Sequence, residues 1–251
     1  MNHLMPFFRK KSIQLILSAL FVYCVQSGVP TEAHASTSKA PVPPTTFRIL
    51  AVTNPIAGLF YDINKKPVEL SASPGMLSSI YMRPSDGRIS IYKIVVSPDN
   101  LQPPRRVVVA EANIEEGGPY LMLLNLPDDS TNVNLSILDD SWIVHPGEAI
   151  RVLNLSKRHI AVQLGKSQKE IKSGQSEFFQ KNGSSTVIKL KTAALEEGNW
   201  TLRTQLPQAI YPYCRQMFLI QDSNPSLENP VPMELNVYNV VDTSPAPERS
   251  N

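Results

Sequence analysis

The feature that most limits the fold of this chain is an internal repeat of about 100 residues. The strand-like phrase RILAVT, which begins at Arg48, aligns with RVLNLS, which begins at Arg151. VNLSILDD, which ends at Asp140, aligns with LNVYNVVD, which ends at Asp242, and PYLMLLNLPDDS between them resembles PYCRQMFLIQDS. Because the two ends of the unit recur in the same order, the pattern indicates a tandem duplication.

Both copies have the pattern of short β-strands. Segments such as FRILAVT, GLFYDI, ISIYKIVV and YLMLLNL are rich in Val, Ile, Leu and Tyr, and turn signals such as SPG, SDG and EGG separate them. The best helical candidate is one or two turns at 192–197, TAALEE. The spacing of the strands indicates a sandwich or barrel, and each copy has the size of a seven-stranded sandwich, so the sequence predicts an all-β protein of two tandem antiparallel β-sandwich domains.

The flanks of the repeats predict export. Arg9-Lys10-Lys11 precedes an apolar run at 13–25, and Ala33-His34-Ala35 offers a small-x-small cleavage site. A retained anchor is less favoured because the apolar run is shorter than the roughly 20 residues that span a bilayer. A lipidated Cys24 is less favoured still.

These features divide the chain into five parts. We expect a signal peptide over 1–35, a Pro/Ser/Thr-rich linker over 36–45, β-sandwich repeats over 46–143 and 144–243, and a disordered tail over 244–251. The mature protein would then be secreted or periplasmic, with no stable transmembrane segment. Each repeat should fold alone if the chain is cut near residue 144.

Charge and cysteine content exclude some classes of function. Residues 1–35 hold three of the 24 basic and one of the 22 acidic residues, so the remaining chain has 21 of each and is neutral. A neutral exported chain is a poor candidate for binding nucleic acid. After removal of the leader Cys214 is the single cysteine, and its apolar surroundings predict a buried, inert thiol.

The first strands of the two copies carry a resemblance to a known group of proteins. RILAVTNPIAGLFYDINKKPVEL and RVLNLSKRHIAVQLGKSQKEIKSG each read as an Arg-hydrophobic strand, an Asn/Ser turn and a strand that leads into a hairpin. In this they resemble the Ig-like repeats of uncharacterised extracytoplasmic bacterial proteins. The resemblance implies that the two tandem antiparallel β-sandwich domains are Ig-like and envelope-associated, and it brings no catalytic residues with it.

No catalytic or cofactor motif is complete in the sequence. The histidines outside the leader, His145 and His159, lie far from any nucleophile elbow, and we expect both on the surface. A blue-copper site built from these histidines with Cys214 and Met217 is disfavoured, because no histidine closely follows the cysteine. We therefore predict no enzyme activity, no metal and no cofactor.

Paired carboxylates at 128–129 and 139–140 do not form ready-made acid–base pairs, since adjacent strand residues point to opposite faces. The favoured interpretation is that these pairs lie in solvated turns. Weak calcium binding by such loops remains a less favoured alternative.

Two patches of the second repeat are candidate binding sites. The first is basic and comprises Lys157, Arg158, Lys166, Lys169 and Lys172. The second is aromatic and comprises Trp200, Tyr211 and Tyr213. Each has a structural alternative: lysines protect exposed sheet edges from aggregation, and aromatic residues near a Tyr-Pro-Tyr corner often pack into a core.

The sequence thus favours a non-enzymatic exported protein with a binding or structural role at the cell envelope, where its partner would be a protein or a glycan. The alternative is a module that binds carbohydrate or polyanions through the aromatic or basic patch of the second repeat.

Two arginines occupy the same place in the two copies. Arg48 and Arg151 each begin the first strand of a repeat. We expect each guanidinium to meet an acidic residue in the last strand of its own copy, with Asp140 and Asp242 as the matched partners.

Overall fold

The structure is a computed structural model that describes residues 44–97, 103–126, 133–181, 186–212, 214–223 and 234–245. The predicted signal peptide lies outside these residues. The first repeat contains β1 (Thr46–Ala51), β2 (Ile56–Ile63), β3 (Lys66–Ala72), β4 (Tyr81–Met82), β5 (Arg88–Val95), β6 (Arg105–Asn113), β7 (Tyr120–Asn125) and β8 (Asn134–Asp139). The second contains β9 (Ala149–Asn154), β10 (Ile160–Leu164), β11 (Ser167–Ile171), β12 (Ser176–Gln180), β13 (Val187–Glu196), β14 (Asn199–Ala209), β15 (Arg215–Asp222) and β16 (Leu235–Asp242). The described part of the chain offers no membrane-spanning helix.

The two repeats have the same topology. In the first, sheet β4-β1-β7-β8 faces sheet β3-β2-β5-β6; in the second, β12-β9-β15-β16 faces β11-β10-β13-β14. The all-β fold of two tandem sandwiches is confirmed. Each sandwich has eight strands rather than seven, and its first strand runs parallel to its seventh while the other pairs are antiparallel.

Strand register supports the duplication and corrects one part of the alignment. Arg48 lies opposite Leu121 as Arg151 lies opposite Met217, and both repeats carry a β-bulge in their sixth strand, where it pairs with the fifth. The same register matches Tyr120 to Gln216. The sequence alignment instead matches Tyr120 to Tyr213, the tyrosine of PYCRQMFLIQDS. The second repeat therefore has extra residues before its seventh strand.

The helical candidate TAALEE is wrong. Its first five residues belong to β13, which pairs with β10 and β14, and Glu197 lies in the turn that follows. Thr192 and Ala194 are fully buried there. Ala, Leu and Glu favour helices locally, but pairing on both sides and burial of alternate side chains override that weak preference.

A third apolar cluster lies between the repeats, in addition to the core inside each sandwich. It involves β4-β1-β7-β8 and β12-β9-β15-β16, which we call the inner sheets; the other two are the outer sheets. Its buried members come from both repeats: Leu50, Leu121 and Leu123 from the first, and Leu153, Met217, Leu219 and Val240 from the second. The inner sheets are thus covered on both faces, and the strands of the two repeats form four stacked layers.

Burial on both faces explains the long apolar runs of the sequence. In β7, Met122 and Leu124 point into the core of the first repeat, while Leu121 and Leu123 point into the shared cluster. Every residue of β9 is buried. A strand with one solvated face would alternate apolar and polar residues, whereas these strands are apolar almost throughout.

The expected partners of the two arginines are wrong, because the contacts cross from one repeat to the other. Nη1 of Arg48 lies 2.7 Å from Oδ1 of Asp242 in the last strand of the second repeat. Nη1 of Arg151 donates to the carbonyl oxygen of Asp139, 2.9 Å away, in the last strand of the first. Within each inner sheet the seventh strand separates the first from the last, so own-copy pairing is blocked.

A first prediction concerns the shared cluster. Leu219→Ala should lower the free energy of unfolding by about 2–5 kcal/mol, the usual result of emptying a leucine site in a core. Because the cluster joins the repeats, hydrogen exchange should accelerate at slow amides of both. Urea denaturation and hydrogen-exchange mass spectrometry measure these effects.

Leu202→Ala on β14 is the matched control, since Leu202 is 57% exposed, and it should change stability by no more than about 0.5 kcal/mol. Faster exchange confined to the second repeat would show that the repeats unfold independently, as separately folding halves would.

Candidate functional site

The basic patch of the second repeat is spread along an edge strand. Lys166 precedes β11, Lys169 lies within it and Lys172 follows it, so the first and last of these lie at opposite ends of the strand. Strand β11 is an edge of its outer sheet, and Lys169 pairs there with Glu177 at 2.9 Å. This arrangement fits protection of a sheet edge better than a shared anion site.

The remaining two basic residues lie in the turn between β9 and β10. Lys157 is exposed, but the Arg158 guanidinium lies 2.7 Å from both Glu196 and Asp222. Hydrogen bonds from Arg203 first, and from Arg158 second, lower the pKa of the Glu196 carboxyl. The charge of Arg158 is thus satisfied by its own repeat.

The aromatic patch is also dispersed. Trp200 lies at the beginning of β14 and Tyr211 lies beyond its end, so about 35 Å separates them at about 3.3 Å per residue. Tyr213 lies outside the described residues. Trp200 is 43% exposed and its ring contacts His159 edge-on at 5.4 Å, so it is a surface group on its own rather than part of a platform.

His145 is buried, which corrects the expectation that both histidines are on the surface. Its Nδ1 lies 3.1 Å from Oδ1 of Asp140, and its Nε2 lies 3.2 Å from the carbonyl oxygen of Gln216. Arg215 pairs with Asp140 and with Asp242. These groups belong to an ionic layer, formed with Arg48 and Arg151, at the contact between the repeats.

The ionic layer is a structural feature rather than a ligand site. The cavity beside it has about 10 Å³, room for one water molecule. In the described residues no group of three or more His, Cys, Asp or Glu side chains could hold a metal ion. Cys214 is half-buried, which corrects the expected buried thiol, and the carbonyl oxygen of the same residue accepts a hydrogen bond from Lys181.

A much larger cavity lies on the first repeat. It has about 570 Å³ and opens on the solvent face of outer sheet β3-β2-β5-β6. We call it the repeat-1 groove; it is lined by Asp62, Asn64, Lys65, Pro84, Ser85, Asp86, Arg88, Ser90, Tyr92, Arg106 and Val108. This volume lies within the range of small-ligand sites, and most of the lining side chains are polar.

Three strands place a connected polar trio in the groove. The Tyr92 hydroxyl of β5 donates to Oδ1 of Asp62 at 2.7 Å, and Nη1 of Arg106 lies 2.6 Å from Oδ2 of the same carboxylate. The Arg106 guanidinium also covers the Tyr92 ring at 4.4 Å. Each member thus fixes the other two.

The trio has defined protonation states at neutral pH. The Tyr92 hydrogen bond first, and the Arg106 guanidinium second, lower the pKa of the Asp62 carboxyl. Burial first, and the hydrogen bond to Asp62 second, raise the pKa of Tyr92 to about 12. The groove therefore presents a carboxylate, a guanidinium and a neutral phenol.

The second repeat has no equivalent of this trio. Strand register matches Asp62 to Gln163, Tyr92 to Ala193 and Arg106 to Trp200. The same eight-strand sandwich, with the same bulge, forms without these side chains. The fold therefore does not require the trio.

Sequence reasoning missed the groove because its residues come from three strands and two turns. Most appear in the sequence as ordinary polar residues of solvated strand faces or turns. The only local signal is the turn Asn64-Lys65, where the sequence places lysine at a position that a tight hairpin usually gives to glycine.

Comparison with known proteins does not assign the groove. The chain matches no protein-family model and no curated protein.

A second prediction concerns the ionic layer. Burial opposes the charge of Asp242, but the Ser244 amide and the Arg48 and Arg215 guanidiniums hold its pKa well below its usual range. Asp242→Asn removes the charge that these arginines share, and should lower stability by about 3–5 kcal/mol at pH 7.

The same variant has a pH signature. A carboxyl with a lowered folded-state pKa contributes stability above its unfolded pKa, near 3.9, and loses it as pH falls through the folded pKa. Urea denaturation should show the wild type losing more stability between pH 6 and pH 2 than the variant loses. Glu111→Gln, which breaks an exposed pair with Arg88, should change stability by at most about 1 kcal/mol. Parallel pH profiles for wild type and Asp242→Asn would contradict the assignment.

Proposed function

We propose that this protein is an exported, non-catalytic carbohydrate-binding protein of the cell envelope, and that its ligand lies in the repeat-1 groove. One observation carries the proposal: a groove of ligand size with a connected polar trio occurs in one repeat and not in its duplicate. Duplicated sandwiches share what folding requires. A polar cluster that only one copy has is better explained by binding.

The lining favours a hydroxyl-rich ligand. The Asp62 carboxylate accepts hydrogen bonds, the Arg106 guanidinium donates them, and Asn64 and Ser90 can do both. Apolar contact comes chiefly from Val108, which is half exposed. A drug-like apolar molecule would leave these polar groups unsatisfied, whereas the hydroxyls of a sugar would satisfy them.

The trio is better suited to binding than to catalysis. A carboxyl with a lowered pKa, as in Asp62, is a weak general base and a poor general acid at neutral pH. Tyr92, with its pKa near 12, stays protonated and acts as a hydrogen-bond donor rather than a nucleophile.

The cellular location in the proposal comes from the sequence. The basic and apolar leader supports export, and the resemblance of the first strands to extracytoplasmic repeats supports the envelope. The groove, rather than the dispersed patches of the second repeat, is the site we favour. A purely structural role would leave the trio without a purpose.

A third prediction tests the groove. Arg106→Ala should reduce affinity for carbohydrate about ten- to a hundredfold, because a guanidinium supplies charge-assisted hydrogen bonds. A glycan array identifies the ligands, and calorimetry on the hit measures the loss. The variant should keep its fold, since the Arg106 side chain is 51% exposed.

Arg105→Ala is the matched control for this test. Arg105 precedes Arg106 on β6 and is exposed, but it does not line the groove. It should bind like the wild type. Absence of any bound glycan, or equal affinity of the Arg106→Ala variant and the wild type, would overturn the proposed function.

A further inference from the structure

The three cations of the groove differ in whether the protein already satisfies them. Arg106 pairs with Asp62 at 2.6 Å, and Arg88 pairs with Glu111 at 2.8 Å. Lys65 is exposed, and its ammonium has no hydrogen-bond or ion-pair partner in the part of the chain that the structure describes. The groove thus contains one cation whose partner can come from a ligand.

The backbone at Lys65 is unusual. Asn64 and Lys65 form the turn between β2 and β3, with φ angles of 51° and 65°. This left-handed region suits glycine and tolerates asparagine, but it strains a lysine. Non-glycine residues held in this conformation occur preferentially at functional sites.

The equivalent turn of the second repeat shows that the hairpin does not need this strain. There Gly165 takes the positive φ, at 59°, and Lys166 lies outside that region. Gly165 takes the place of Asn64 and Lys166 that of Lys65, so the same connection between the second and third strands forms with its lysine outside the left-handed region. The first repeat holds its lysine in the strained conformation, where the side chain lines the groove.

We propose that Lys65 binds a carboxylate of the ligand, and hence that the groove takes an acidic oligosaccharide that contains uronic acid. This inference rests on the proposed function and specifies the class of carbohydrate. A carboxylate beside Lys65 forms a charge-assisted hydrogen bond, which is stronger than one between neutral groups. The remaining N–H groups of Arg88 and Arg106 are available for the same carboxylate or for ring hydroxyls.

The carboxylates of the groove suit hydroxyls rather than a second cation. Asp62 is committed to Tyr92 and Arg106, and Oδ1 of Asp86 accepts the backbone N–H of Arg88 at 3.1 Å. Their remaining lone pairs accept hydrogen bonds from sugar hydroxyls. The ligand class that uses both kinds of group carries hydroxyls and a carboxylate on the same ring.

The test compares two probes that differ in the charge and methylation of their carboxyl groups. Trigalacturonic acid and its methyl ester share ring, linkage and length, but the ester lacks the negative charges. Calorimetry with protein purified after export of the full chain should show the acid binding about three- to tenfold more tightly, the size expected of one charge-assisted contact at an open site.

Lys65→Gly gives the sharper result, because it should weaken binding of the acid and at the same time raise the stability of the protein. The preference for the acid should disappear, while Tm should rise by about 2–4 °C as the strained turn relaxes. Glu197→Gly is the matched control. It relieves a positive φ angle of 48° in the second repeat, away from the groove, and it should keep the preference for the acid.

The outcomes separate this inference from the proposed function. If the affinities for the acid and the ester are within twofold of each other, and both affinities fall in the Arg106→Ala variant, the groove binds carbohydrate but the inference about charge is wrong. If Lys65→Gly retains the preference, the carboxylate is bound elsewhere and the inference is also wrong. If neither these probes nor any glycan of an array binds, both proposals fail.

Discussion

Contact between the two inner sheets determines how the rest of this structure is arranged. Each inner sheet is covered by its own outer sheet on one face and by the other repeat on the opposite face, so strands such as β7 and β9 have no solvated side. Burying a leucine-sized side chain contributes about 1.5–3 kcal/mol, and the shared cluster contains several. The ionic layer joins Arg48 to Asp242 and Arg151 to Asp139 across the same contact. The first strand of each repeat thus contacts the last strand of the other, in a nearly two-fold symmetric way. The two sandwich domains therefore share a buried contact in addition to the turn that joins them.

This arrangement leaves the outer sheets as the two broad surfaces available for binding, and duplication has allowed them to diverge. The outer sheet of the first repeat carries Asp62, Tyr92 and Arg106, and the second has Gln163, Ala193 and Trp200 at the matching positions. The second repeat covers the inner sheet of the first. In this account one copy supplies the binding surface while its duplicate completes the core on which that surface rests.

Sequence predicted the elements of this fold much better than their contacts. Alternating and apolar segments identified most of the strands, and the recurrence of Arg48 at Arg151 and of Asp140 at Asp242 located the duplication. The sequence could not show that the matched arginines cross between copies, because that depends on how two sandwiches stack. The groove was missed for a similar reason, since its residues become neighbours only through strand register. Nor could the sequence show that Lys166 and Lys172, which are close along the chain, lie at opposite ends of β11.

The most direct test of the central claim, that a shared core supports one specialised binding surface, is an NMR titration of the ¹⁵N-labelled protein with an oligouronate. Amide shifts should change at the turn Asn64-Lys65, at Asp86 and along β5 and β6, while the matching positions of the second repeat and the shared cluster stay unchanged. Shifts concentrated around Trp200 on the second outer sheet, or spread through the inner sheets, would contradict the account.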